Sequence, residues 1–234
     1  MKIVGIIAAG GSGSRLGRAG GKQLLAVAGR PLAAWAAEAL ARARMIDELV
    51  IVCDPASVKQ YAHDIGATLT TDKPVAFVPG GATRADSVVS GLLATDAEVV
   101  AIHDGARPLL EPMDADRAVQ AFVDNPDVDG VVLGHPAIDT IKIVDTEVVA
   151  TPSRDDYWLA QTPQVFRRTQ LLDAYAQAAA AGLVGTDDSS YIEQGGGRVI
   201  MVEGQRANIK VTIPSDLAAI DASLQTRRII WKAL

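Results

Sequence analysis

Three cations stand among glycines near the start of the chain. Residues 8–23 read AAGGSGSRLGRAGGKQ, in which six glycines surround Arg15, Arg18 and Lys22, directly after the apolar run IVGII. Glycines let backbone N–H groups approach a phosphate closely, and guanidinium or ammonium groups then neutralise the charge that builds up as a phosphoanhydride breaks. The chemistry this composition can perform is phosphate binding and transfer. A nucleoside-triphosphate P-loop requires Gly-x-x-x-x-Gly-Lys-Ser/Thr, but Gln23 follows Gly21 and Lys22, and Leu16 stands where the first glycine belongs. A dinucleotide fingerprint needs Gly-x-Gly-x-x-Gly opening directly into a helix. Gly11 and Gly13 fit it, Leu16 does not, and the next helical pattern begins only near Pro31. Asp54, at the end of the second apolar run, imitates the acid that holds a ribose, so a nicotinamide-dependent oxidoreductase stays open. A third client, a nucleotide whose α-phosphorus is attacked, makes direct use of Arg15 and Lys22; a solvated surface loop is the structural alternative.

The elements that must position this loop alternate. Apolar runs of strand length at 2–8, 48–54, 75–78, 98–103, 128–134 and 198–202 are separated by helical spacing at 31–44, 57–65, 84–93, 112–125, 169–181 and 187–194, with a closing helix at 214–228. This rhythm predicts an α/β, Rossmann-like, doubly wound and mostly parallel sheet over residues 1–234 as one domain, with ligands beyond the carboxyl ends of the strands. The loops after Ala8, Val78 and His103 are then the places to expect a site. Residues 136–154 break the rhythm: two short β-rich runs flank Asp145-Thr146-Glu147 with few large residues for a core, as expected of a protruding hairpin arm that grips something else.

Composition narrows the possibilities. A net charge of −6 argues against a nucleic-acid binder, which needs a broad basic face. No uninterrupted apolar stretch is long enough for a membrane span, and the N-terminal run reads as a first strand rather than a leader. The single cysteine, Cys53, lies in LVIVC and reads as a buried strand thiol, which fits a reducing cytoplasm. His63, His103 and His135 lack metal-ligand spacing, and Trp35, Trp158 and Trp231 read as packing anchors.

Five further motifs complete the pattern: GGATRADSV (80–88), HDGARP (103–108), QTPQVF (161–166), TDDSS (186–190) and NIKVTIPSDL (208–217). Together with the first loop, and in this order from residue 2 to about 224, they resemble the 2-C-methyl-D-erythritol 4-phosphate cytidylyltransferases of the non-mevalonate isoprenoid pathway. The resemblance implies a Mg²⁺-dependent nucleotidyltransferase that joins CTP to a polyol phosphate by in-line attack on the α-phosphorus, with no covalent enzyme intermediate. It implies Arg15, Lys22 and Lys210 as the catalytic cations. Ala9, Gly10, Gly11, Gly13, Gly80, Gly81, Ser87, Asp104 and Gly105 would bind the nucleotide, Gly80 and Gly81 meeting the cytosine edge and Ser87 the base or ribose. Asp104 would also hold Mg²⁺, although taken alone it reads better as a turn aspartate before Gly105. Arg84 and Asp86 would shape their loop, Arg107 is structural, and Asp187 and Asp188 cap a helix.

For the polyol phosphate the resemblance points to Thr140, Arg154, Thr162 and Thr186, with Thr140 and Arg154 carried by the arm into a partner subunit's site. A homodimer with exchanged arms follows, as do a cytoplasmic location and no nucleic-acid or membrane partner. The chain departs from the family at Gly21, where proline is common, at Gly105, where alanine is common, and at Ala207, where relatives are often acidic. Ribitol-5-phosphate cytidylyltransferases share nearly every motif and remain the nearest alternative; a regulatory CTP-binding module is a more distant one.

Overall fold

A computed structural model describes residues 1–10 and 21–233. In chain order the first half holds β1 (Ile3–Ala8), a short turn at Lys22–Leu24, β2 (Ala26–Val27), β3 (Arg30–Pro31), α1 (Leu32–Arg42), β4 (Glu48–Cys53), α2 (Val58–Gly66), β5 (Val75–Pro79), α3 (Arg84–Leu93) and β6 (Val99–Asp104). The second half holds α4 (Pro112–Asp124), β7 (Gly130–Pro136), β8 (Ile143–Val144), β9 (Val148–Ala150), β10 (Trp158–Arg167), α5 (Arg168–Ala181), α6 (Asp188–Gln194), β11 (Val199–Glu203) and α7 (Pro214–Ala233).

Seven strands form one sheet in the order β11-β7-β10-β6-β1-β4-β5. All run parallel except β10, which pairs antiparallel with β6 and β7. The near-continuous apolar runs are explained by burial on both faces. Ile3, Ile7, Leu49, Ile51, Val99 and Ala101 pack on one side with α1 and α4, whereas Val4, Ile6, Val50, Val52, Val100 and Ile102 pack on the other with α3 and α5. The doubly wound, mostly parallel sheet expected from the sequence is therefore present.

Three details differ from expectation. β10 was not anticipated as a strand, because Gln161, Thr162, Pro163 and Gln164 interrupt its apolar pattern; its pairing with β7 shifts register between Ala160 and Gln164. The closing helix continues past residue 228 to Ala233. Pro31 precedes the first turn of α1 and belongs to the small β2–β3 pair, whose two-residue turn takes positive φ at Ala28 (48°) and Gly29 (79°). The arm is a separate two-stranded pair, β8 with β9, exposed at every strand residue.

Candidate active site

The carboxyl ends of β1, β4, β5 and β6 meet at one edge of the sheet. Ala8 is level with Asp104 across β1 and β6. The chain leaving β1 is fixed at once: Ala9 N–H donates to Val52 O (2.9 Å), Gly105 N–H to Ala8 O (3.0 Å), and Tyr61 OH to Ala9 O (3.3 Å). Gly11, Gly13 and Arg15 lie outside the described residues. Gly21 has φ 80°, a backbone that glycine adopts and that proline, held near −65°, cannot. At Gly105 an added Cβ would lie 3.1 Å from Gln23 Oε1 and 3.2 Å from Ala8 O, so the glycine matches a tight approach between the first loop and the Asp104 turn.

The loop after β5 is held by its own polar groups. Gly80 N–H donates to Cys53 O (2.8 Å), placing Gly80 across from β4. Ser87 is buried (5% exposed); its hydroxyl accepts from Gly81 N–H (3.2 Å) and donates to Thr83 O (2.9 Å). It therefore fixes the glycine loop and keeps one lone pair for any other contact. A Cβ on Gly81 would stand 2.2 Å from Asp86 Cβ, so no side chain fits. Thr83 and Asp86 form a capping box at the start of α3.

Asp104, 6% exposed, is ringed by three cations: Lys210 Nζ at 2.8 Å, Arg84 Nε at 3.4 Å and Arg107 Nε at 3.5 Å. Burial opposes its charge, but Arg84, Lys210 and Arg107 outweigh burial and hold the carboxyl well below the usual carboxylate range. Arg84 is itself locked by a bidentate pair to buried Asp188 (2.7 and 2.8 Å), which also accepts from Tyr175 OH (2.5 Å). Asp188 is thus an ion-pair partner rather than the cap of α6 expected from the sequence, while Asp187 is the N-cap, as expected. Arg107 donates to Asn208 O (2.8 Å), in keeping with a structural role.

The NIK segment is brought to this cluster by backbone and amide bonds. Val211 N–H donates to Ala106 O (2.8 Å), and Asn208 Nδ2 donates to Thr162 O (2.9 Å) and Gln161 Oε1 (3.2 Å). Lys22 Nζ donates to Val211 O (2.7 Å), so Lys22 and Lys210, distant in sequence, converge on one stretch of chain.

Thr162 is buried (4% exposed), and its hydroxyl is already engaged. Asp104 N–H donates to it (3.0 Å), and it bonds His103 Nδ1 (2.8 Å), whose Nε2 lies 3.0 Å from Arg107 O. Arg107 O can only accept, so Nε2 carries the proton and Nδ1 accepts from Thr162: the chain of bonds needs a neutral imidazole. Thr162 therefore supports the Asp104 turn, and its hydroxyl keeps one lone pair for the substrate contact that the resemblance implies. Complete burial pushes His103 down to about 4. Its ordinary value is near 6.5, so the unfolded chain binds the extra proton first and stability falls as pH drops from about 6.5 towards 4. Between pH 7 and 5 this costs about 2 kcal/mol. Urea unfolding at the two pH values should show that loss, and a His103→Gln protein should show less of it; equal slopes would remove His103 as the cause.

Thr140 and Arg154 are exposed and away from these contacts: Thr140 precedes β8, and Arg154, in a short turn after the arm, donates to Ile138 O (2.7 Å). Thr186 is exposed, two residues before Asp188. Trp35 is fully buried and meets Trp231 at 5.9 Å, but Trp158 is 38% exposed and anchors no described core. Among the described residues no group of three His, Cys, Asp or Glu side chains could hold a metal by protein ligands alone. Asp104 nonetheless suits a hard cation that takes one carboxylate and fills its shell with phosphate oxygens and water.

The family IspD, 2-C-methyl-D-erythritol 4-phosphate cytidylyltransferase, matches residues 3–226. The chain belongs to this family. A 2-C-methyl-D-erythritol 4-phosphate cytidylyltransferase of Synechococcus sp. (strain WH7803) is 41% identical over 229 residues, covering 95% of this chain and 99% of that one. Among solved structures, the 4-diphosphocytidyl-2C-methyl-D-erythritol synthase of Anaerococcus prevotii superposes with a TM-score of 0.83 at 29% identity, covering 96% of each chain. The Thermus thermophilus cytidylyltransferase superposes at 0.74 with 30% identity, covering 95% of this chain and 98% of that one. As an IspD-type protein the chain is a nucleotidyltransferase, and the oxidoreductase alternative raised by Gly11, Gly13 and Asp54 falls away. What the motifs alone did not reveal is how the residues of the Asp104 edge are held. Arg84 to Asp188, Asn208 to Thr162 and His103 to Thr162 are pairs far apart in sequence that only the antiparallel β10 and the α6 N-terminus bring together.

Proposed function

We propose that the chain joins CTP and 2-C-methyl-D-erythritol 4-phosphate to give 4-diphosphocytidyl-2-C-methyl-D-erythritol and pyrophosphate. A phosphate oxygen of the polyol phosphate attacks the α-phosphorus of CTP in line with the departing pyrophosphate, so one P–O bond forms as another breaks. The observation that carries this reading is that Lys22, bonded to Val211 O, and Lys210, paired with Asp104, converge on one stretch of chain at the carboxyl edge of β1 and β6. These cations, with Arg15, neutralise the charge that gathers on the equatorial oxygens and the leaving group. The Gly80–Gly81 backbone, kept bare of side chains and closed by Ser87, reads the cytosine edge. Asp104 would hold Mg²⁺, which would supply further neutralisation of phosphate charge. Lys210, partly exposed, is placed to turn from Asp104 towards phosphate.

The polyol phosphate is met by Thr186 of the same chain and by Thr140 and Arg154 of a second copy. Support for the second copy comes from the arm, where Ile143, Val144, Val148 and Val149 are all exposed (63% for Val149) and no described core covers them. A homodimer with exchanged arms buries them. A cytoplasmic location, consistent with the buried thiol of Cys53, belongs to the same proposal. Among the described residues no helix is long and apolar enough to cross a membrane. If the arms are exchanged, mixing inactive Arg154→Ala and inactive Lys22→Ala proteins restores activity, because one of the two sites in a hybrid dimer is intact. Proven subunit exchange without recovery would return Arg154 to its own subunit's site or to none.

The family name favours methylerythritol phosphate over ribitol phosphate. Comparing kcat/KM for the two with CTP tests this: a higher value for methylerythritol phosphate is expected, and a higher value for ribitol 5-phosphate would reverse the assignment.

A further inference from the structure

A cavity of about 730 Å³ opens where the β2–β3 turn, the end of α1, the segment after α2 and the end of α7 come together. It shares no described residue with the Asp104 site. Its walls include Arg30, Arg42, Arg228, Thr68, Thr70 and Trp231, an unusual concentration of guanidinium groups for a chain of net charge −6. The volume is that of a small-molecule site.

Two of the arginines are held rigidly. Glu38, fully buried behind the wall, accepts from Arg42 Nε (2.8 Å), Arg30 Nη2 (3.3 Å), Thr70 N–H (2.9 Å) and Thr70 Oγ1 (2.7 Å). Burial opposes its charge, but the Thr70 hydrogen bonds and the two arginines outweigh burial and keep Glu38 below the ordinary carboxylate range. Arg30 lies over Trp35 at 4.7 Å and Arg42 over Trp231 at 4.9 Å. Arg228, exposed, donates to Ala28 O (3.1 Å). Among the described residues, the three guanidiniums outnumber the nearby carboxylates, Glu38 and Asp221, the latter accepting from Ala28 N–H on the same turn. Tying α1 to α7 explains Arg42, which also donates to Trp231 O (3.2 Å). It explains neither Arg228 nor the buried Arg30 Nε, which has no hydrogen-bond partner among the described residues.

We propose that this cavity binds a small phosphate ester, its dianionic phosphate on Arg30, Arg42 and Arg228 and its organic part along Trp231. The sign of the charge matches, since a phosphomonoester is an anion that carries close to two negative charges at neutral pH. The arginine forks match the phosphate oxygens, and the cavity has room for more than phosphate alone. The occupant would bridge the β2–β3 turn, which follows Lys22 by only a few residues, to α7. The proposal does not depend on the reaction assigned to the Asp104 edge.

Tryptophan fluorescence tests it in a Trp158→Phe protein, which keeps Trp35 and Trp231, the stacked pair at the cavity. Titration with phenyl phosphate should give a saturable change. Arg228→Ala in that background should weaken binding about tenfold, the effect of one charge-assisted contact, with an unaltered thermal midpoint showing that it folds. Asp104→Asn should leave the affinity unchanged. Inorganic phosphate should bind more weakly; equal affinity would remove the organic part from the proposal and leave a free-phosphate site. The proposal fails if neither probe gives a saturable change, if Arg228→Ala binds as the parent does, or if Asp104→Asn abolishes the signal.

Discussion

Lys210→Ala should lower kcat about 10²- to 10³-fold while leaving the thermal midpoint nearly unchanged, the magnitude expected for one lost transition-state contact. The two effects separate because the side chain and its backbone have different tasks. The backbone of the NIK segment is clamped independently of the ammonium group, by Val211 N–H on Ala106 O and by Asn208 on Thr162 and Gln161. The side chain is partly exposed (42%) and contacts only one described partner, Asp104, by an ion pair that Arg84 and Arg107 can replace in part. Removing it costs little folding energy and much charge stabilisation. Turnover from initial rates, beside a thermal melt, checks this. Near-normal kcat would take Lys210 out of the reaction, and a collapsed midpoint would recast it as structural.

Asp104→Asn should act on both quantities. Asparagine keeps the shape and the backbone N–H that donates to Thr162, but it leaves Arg84, Arg107 and Lys210 facing one another without their carboxylate. Removing one partner of a buried ionic cluster costs about 3–5 kcal/mol, and the exposure of Arg84 and Lys210 places the expected loss near the lower end, about 3 kcal/mol. Activity falls as well, because Asp104 is the carboxylate offered to Mg²⁺. A second substitution separates the two: Lys210→Met added to Asp104→Asn should recover part of the stability, by relieving repulsion, and none of the activity. Urea midpoints and pyrophosphate release on the two proteins test this. A single variant as stable as the parent would show that the three cations do not depend on Asp104.

The edge of the sheet that carries the site was legible in the sequence because parallel strands buried on both faces write near-continuous apolar runs. Each run ends in a polar, glycine-bearing loop: Ala9-Gly10 after β1, Gly80-Gly81 after β5, Asp104-Gly105 after β6. The β10 strand was not legible. Its Gln161, Thr162 and Gln164 face polar partners rather than core, with Gln164 Nε2 on Asp187 Oδ2 (2.7 Å) and its Oε1 accepting from Ser189 N–H (3.0 Å). A strand whose side chains tie motifs together lacks the alternation that betrays a strand. The same reason hid the role of Thr162: a hydroxyl in a substrate motif gives no sign that an imidazole and a backbone N–H already hold it. Asp188 looked like a helix cap because caps and buried ion-pair partners use the same residue, and only the α3–α6 approach distinguishes them.

Pyrophosphate release is the direct readout of cytidylyl transfer. Purified folded protein with CTP, 2-C-methyl-D-erythritol 4-phosphate and Mg²⁺ should liberate pyrophosphate in step with loss of CTP, and should liberate none when the polyol phosphate is withheld. Absence of release with either methylerythritol phosphate or ribitol 5-phosphate would contradict the assignment of the Asp104 edge as a cytidylyl-transfer site.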